Sequence, residues 1–253
     1  MKFTEYISTH QVFTTSDLMA AMDSPSAAEE QLRLAIRAGK VERARRGLLV
    51  SNHGRFQDAP VDPSAVVAVL DASAVASYHS ALEAYGVAHN VGFAFQFRSD
   101  AVRSGFAFRG IRYEPVGPVG DAQWRVARFG GVRARVATRE QTVVDCMDGP
   151  SRSGGVEEAV RSLTALAYIG VETLVTLAER RSSATASRVG WLLDQKGEDW
   201  AVTGDQLARL ESRLGTGPYR LGRPRQGETS WSARWRLLLP ADEEEVTTWI
   251  TRS

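Results

Sequence analysis

Cysteine, histidine and lysine are all scarce in this chain of 253 residues, and each scarcity closes off a chemistry. Cys146 is the sole cysteine, which excludes an internal disulfide and a thiolate metal cluster. The four histidines, His10, His53, His79 and His89, are scattered, without the His-Glu-x-x-His spacing that sets two imidazoles on one helical face. Lys2, Lys40 and Lys196 are the only lysines among 31 basic residues, so arginine carries nearly all the positive charge. Long apolar runs are missing too. Nothing approaches the roughly 18 residues a membrane-spanning helix needs, and Met1-Lys2-Phe3-Thr4-Glu5 holds no apolar signal core. A cytoplasmic protein is expected. With a net charge of +1, 43% hydrophobic and 24% charged residues, the chain is an ordinary globular sequence rather than a polycation.

Catalytic signatures are also absent. There is no Gly-x-Ser-x-Gly elbow, phosphate-binding loop or dinucleotide fingerprint, and Gly130-Gly131 and Gly154-Gly155 read as turns. Asp194-Gln195-Lys196 comes nearest to the carboxylate and lysine set of a metal-dependent nuclease. It lies on an amphipathic segment with Trp191, Leu192 and Leu193, and no obvious partner aspartate precedes it. His79, beside Tyr78 and Ser80, reads as a packed or capping histidine. The expectation is a protein without catalysis, cofactor or metal.

What the chain does have is concentrated in its first fifty residues. Short helical patterns run over Phe3–Met22, where Thr14, Thr15 and Ser16 offer capping oxygens and Asp17 suits the positive end of a helix dipole. Leu18 and Met22, four apart, share a face. Ser24 then Pro25 announces a second start, and Gly39 stops the helix predicted over Ser26–Ala38. On that helix Ala28, Leu32, Ala35 and Ile36 form the apolar side, while Ser26, Glu30, Arg33, Leu34 and Arg37 fall opposite. Two strand-like runs follow, Val41–Ala44 and Leu48–Ser51, with Gly47 in the turn and Lys40, Arg43, Arg45 and Arg46 gathered around it. Helix, turn, capped helix and basic hairpin in that order predict a winged helix-turn-helix over residues 1–57. In such a module the second helix enters the major groove. The predicted DNA-binding residues are Ser26, Glu30, Arg33, Arg37, Lys40, Arg43, Arg45 and Arg46.

A connector over Ser51–Pro60 leads to a second region, 61–253. Helices are expected at Ser64–Leu70 and Tyr78–Tyr85, closed by Gly86, then strands at Phe93–Arg98, Trp124–Phe129 and Val132–Val136, whose side chains alternate with period two. Helical patterns return at 139–148, 154–168, 171–181, 184–196 and 203–214. Strands Tyr219–Leu221 and Ser232–Leu239 end the reading, before an acidic Asp242-Glu243-Glu244-Glu245 tail. Nine arginines in 91–139 (98, 103, 109, 112, 125, 128, 133, 135 and 139) face only Asp100, Glu114 and Asp121, a basic middle able to track phosphates. The fold class expected is α+β, a winged helix followed by a larger mixed α+β domain.

The string Ala137-Thr138-Arg139-Glu140-Gln141-Thr142-Val143-Val144-Asp145-Cys146-Met147-Asp148-Gly149-Pro150, continuing to Gly154-Gly155-Val156-Glu157-Glu158, resembles the AbiEi family, as does Tyr78-His79-Ser80-Ala81-Leu82-Glu83-Ala84-Tyr85-Gly86. Members are antitoxins and autoregulators of type IV toxin–antitoxin, or abortive-infection, modules. The resemblance implies a winged helix that binds promoter repeats of its own operon as a repressor. It also implies a C-terminal region that counteracts a co-encoded nucleotidyltransferase-like toxin, with no stable toxin complex required. Read from the residues alone, Thr138 and Gln141 form a capping box for a structural helix. Glu157 and Glu158 occupy a helix N-terminus that would otherwise suit an anion. A ligand-sensing winged-helix regulator and, more remotely, a metal-dependent nuclease stay open as alternatives.

Overall fold

The computed structural model describes residues 1–92, 94–129, 132–223 and 229–251 as a mixed α+β chain. It separates into two compact units. Unit 1 comprises Met1–Ala76, Phe93–Gly120 and Val126–Arg135; unit 2 comprises Ser77–Gly92, Asp121–Arg125 and Val136–Ser253. The connector expected at 51–60 falls within unit 1.

Unit 1 opens with α1 (Phe3–Thr9), β1 (Val12–Thr14), α2 (Thr15–Ala21), α3 (Pro25–Arg37), β2 (Val41–Arg45) and β3 (Leu48–Ser51). The helical stretch expected over Phe3–Met22 is therefore interrupted. Phe13 is fully buried in β1, and antiparallel pairing of Val12 with Val50 and Thr14 with Leu48 builds a sheet in the order β1-β3-β2. Next come α4 (Pro63–Leu70), β4 (Val75–Ala76) and, in unit 2, α5 (His79–Tyr85). Then β5 (Ala94–Arg98), β6 (Phe106–Phe108), β7 (Ile111–Gly117), β8 (Trp124–Phe129) and β9 (Val132–Ala137) complete a six-stranded sheet ordered β6-β7-β5-β4-β9-β8. Within it β5 runs parallel to β7 but antiparallel to β4. Phe93, where the first of these strands was expected to start, and the turn glycines at 130 and 131 lie outside the described residues.

Unit 2 continues with α6 (Arg139–Asp148), α7 (Val156–Thr164), α8 (Val171–Glu179), α9 (Ser183–Gln195), α10 (Gly204–Glu211), the short strands β10 (Tyr219–Arg220), β11 (Trp231–Ser232) and β12 (Leu237–Leu238), and α11 (Glu243–Thr251). Two expectations are corrected here. Ser232–Leu239 is not one strand, because the turn between β11 and β12 places Arg236 at φ +49, a left-handed conformation no strand contains. The acidic tail is the first turn of α11, where three glutamates meet the positive end of the dipole and the Asp242 carboxylate accepts the Glu245 N–H at 2.7 Å.

The core of unit 2 joins α6, α8 and α9 to Leu207, Leu210, Trp235, Leu237 and Trp249. Trp235 is wholly buried, its indole N–H donating to Asp194 Oδ2 at 3.0 Å and its carbonyl accepting from the Ser187 hydroxyl at 2.7 Å. The ring fits because α9 carries Gly190 beneath it. A Cβ there would stand 2.0 Å from the ring. Gly190→Ala is therefore expected to lower stability by about 1–3 kcal/mol through overpacking, although alanine favours helix. Denaturant midpoints check this, and an unchanged or raised midpoint would contradict the close packing.

Candidate nucleic-acid interface

Local chemistry sets the helices of the N-terminal sub-structure. Thr14 caps α2 with a complete capping box: its hydroxyl accepts the Asp17 N–H at 3.0 Å, and the Asp17 carboxylate accepts the Thr14 N–H at 3.2 Å. Ser24 holds the N-cap position of α3, yet its side chain makes no capping bond. Pro25 alone supplies the preorganised start. Gly39 ends the helix at φ +68. Ala28, Leu32 and Ala35 point inward, the last two joining a cluster with Ile7, Phe13, Leu18, Val41 and Leu49.

The opposite face of α3 is solvent-exposed at Ser26, Glu30, Arg33 and Arg37, spaced four, three and four apart, so they form one stripe. Arg33 Nε donates to Glu30 Oε2 at 2.9 Å, and this bond holds the Glu30 carboxyl below the usual carboxylate range. Both ends of the pair are exposed, so it is weak and exchangeable for other partners. Leu34, 51% exposed, lies beside the stripe. A second exposed set follows: Lys40, Arg43 and Arg46 around the β2–β3 hairpin.

Arg45 differs from the other residues expected at this surface. It is half-buried, its guanidinium donates to the Ser104 carbonyl and hydroxyl at 3.5 and 3.4 Å, and it lies 5.5 Å over the Phe106 ring. Phe106 in turn stacks on Tyr113 with centroids 4.5 Å apart. The irregularity in the β2–β3 register between Arg43 and Arg45 buries Ala44 and gives Arg45 this direction. Much of the basic middle is likewise wired into the fold. Arg109 pairs with Glu42 and donates to the Ala59 carbonyl, Arg112 pairs with Glu114 at 3.5 Å, and Arg98 and Arg135 reach the carbonyls of Pro118 and Ser73. Arg125 and Arg139 lie over the Tyr85 ring.

In unit 2 the motif of residues 137–158 is a helix and a buried carboxylate centre. Thr138 accepts the Gln141 N–H at 3.2 Å, but Gln141 does not reach back; its amide donates to Asp145 Oδ1 and its carbonyl accepts from Gln123 N–H. The expected capping box is thus half made. Burial pushes the Cys146 thiol up to about 12, so it stays a protonated apolar filler. Glu158 does not cap α7. It is buried, and accepts from the His89 and Asn90 N–H groups at 3.0 and 3.1 Å, the Ser162 hydroxyl at 2.9 Å and His79 Nε2 at 3.3 Å. His79 is the packed residue expected. Beside this centre a cavity of about 670 Å³ is lined by Asn90, Asp148, Glu157, Arg188, Arg220 and Arg223 among others, with both charge signs present. Arg188 there caps α6 by donating to the Met147 and Asp148 carbonyls at 2.9 and 3.1 Å. Sequence reasoning missed these roles because each partner lies far along the chain. The nuclease-like Asp194 accepts bonds from Arg234 and Trp235, and Lys196 pairs with Asp199. Among the described residues no group of three or more His, Cys, Asp or Glu is placed to hold a metal ion.

Burial alone would raise the Glu158 pKa, but its bonds from Asn90, Ser162 and His79 outweigh burial and lower it. A depressed folded pKa contributes stability above the unfolded value of about 4.3 and loses it as pH falls through the folded value. Glu158→Gln should cost about 1–3 kcal/mol near pH 7 and less at an acid pH below the lowered native pKa, where the native carboxyl gains its own proton. Urea midpoints at both values test this; a gap of constant size would refute it.

No family model matches the chain, and no curated protein matches it. Among the described residues no helix is long and apolar enough to cross a membrane. Among solved structures, the crystal structure of the RV2827C protein from Mycobacterium tuberculosis is similar, with a TM-score of 0.67 over 94% of this chain and 89% of that one, at 18% identity. At that identity the likeness is one of fold, a mixed α+β architecture.

Proposed function

We propose that residues 1–57 act as a winged helix-turn-helix, with α2 and α3 as its paired helices and β2–β3 as its wing, and that the protein is a DNA-binding transcriptional repressor of its own operon. The observation that carries this reading is the exposed stripe of Ser26, Glu30, Arg33 and Arg37 on a helix whose other face is sealed into a core. Laid in the major groove, such a stripe presents arginine donors suited to guanine O6 and N7 and a glutamate suited to the cytosine amino group. Exposed Lys40, Arg43 and Arg46 suit flanking phosphates. The resemblance of residues 137–158 to AbiEi proteins supports a second role as antitoxin against a co-encoded nucleotidyltransferase-like toxin. Asp194, Glu158 and Cys146 are each taken up by packing or bonding.

Fluorescence anisotropy on the DNA upstream of the gene and on a scrambled duplex tests the first role. Arg33→Ala and Arg37→Ala should each reduce preference for the upstream duplex by about 1–3 kcal/mol, whereas Arg46→Ala should weaken both duplexes alike and flatten the salt dependence. Equal effects of all three substitutions would refute the division of labour. Co-expression with the neighbouring gene tests the second role: the chain should restore growth, and persistent toxicity despite full-length, folded protein would eliminate the antitoxin reading.

A further inference from the structure

We propose that the loop 99–105, through Arg103, is a second phosphate-contacting element beside the wing. The inference rests on the DNA-binding reading and extends its footprint to a segment more than fifty residues further along the chain. Arg45 carries the argument. Its guanidinium bonds to Ser104 and stacks on Phe106, which joins the wing to this loop inside unit 1. Arg103, the chain neighbour of Ser104, is exposed and makes no side-chain bond among the described residues, unlike Arg98, Arg109 and Arg112 around it.

The loop is also ordered in advance. The Ser99 hydroxyl accepts the N–H groups of Ala101 and Val102 at 3.2 and 2.8 Å and donates to Asp71. The Asp100 carboxylate accepts the Val119 N–H at 3.1 Å. At the far end Gly105 presses on β7, where a Cβ would meet the Tyr113 carbonyl at 2.7 Å. The backbone carrying Arg103 is therefore set at folding, and binding has only the side chain left to order. DNA phosphates form a continuous line of charge, so a cation carried on this ordered loop beside the wing has an anion to meet whatever the base sequence. Arg45 becomes a positioning residue for this element, and Arg103 the contact.

The experiment is a salt series of anisotropy titrations of the full chain on both duplexes, comparing the wild type with Arg103→Ala, Arg103→Lys and Arg46→Ala. Loss of one phosphate contact should weaken binding to both duplexes equally, roughly eightfold at about 0.1 M salt, and make the log–log salt slope shallower by about 0.9. Arg103→Lys should restore the slope. If Arg103→Ala keeps the wild-type slope while Arg46→Ala flattens it, the loop is not a contact and the DNA-binding reading survives alone. If Arg103→Lys behaves like Arg103→Ala, charge is not what the loop supplies and the proposal fails. If the wild type binds neither duplex, both readings fall together.

Discussion

Leu32 and Ala35 hold one side of α3, where Ala28 is also buried, against the apolar interior formed by Ile7, Phe13, Leu18, Val41 and Leu49, and the behaviour of the N-terminal surface follows from that anchoring. A helix of thirteen residues is marginal by itself in water, and the missing side-chain cap at Ser24 leaves its start weaker still. Burial of the inner face supplies what local chemistry does not. It also fixes the helix in rotation, so the outer stripe faces water whatever residues occupy it. Glu30, Arg33 and Arg37 are there because the fold does not need those positions for itself.

The arginines separate into two populations on the same principle. Arg109 on Glu42, Arg188 on the end of α6 and Arg209 between Glu172 and Glu179 each satisfy backbone or carboxylate groups, and they specify how elements meet. Arg37, Arg43, Arg46 and Arg103 are exposed and satisfy nothing within the protein's described bonds. Ion pairs at a surface add little stability. Guanidinium contacts can instead set direction, and Arg45 illustrates it without an ion pair: bonded to Ser104 and lying over the Phe106 ring, it fixes a loop more than it strengthens a fold.

Much of this was legible in the sequence wherever the controlling forces are local. Helix α6 spans the residues its pattern predicts, α3 is displaced by one residue, and Gly39, Gly47 and Gly86, each at positive φ, turn the chain where a helix stop or a turn was expected. The losses have a common physical cause. Strand β1 is too short to show a period, and its existence depends on pairing with β3, some 36 residues away in sequence. Glu158 looks like a dipole-neutralising residue from its neighbours alone, but its partners His79, His89 and Asn90 lie 68 to 79 residues earlier. For the candidate interface, the α3 stripe was readable from periodicity. The inward turn of Arg45 was not, because a register irregularity and a loop 59 residues distant decide it.

The two compact units are interleaved along the chain, each assembled from three separate stretches. During synthesis unit 1 lacks its full complement of strands until residue 135 has left the ribosome, and by then Ser77–Gly92 has already emerged without the helices that bury it. Such long-range closure is slow relative to local helix formation. Recombination faces the same constraint: neither unit is a bead that one crossover can move to another protein, so the two halves are bound to be inherited together.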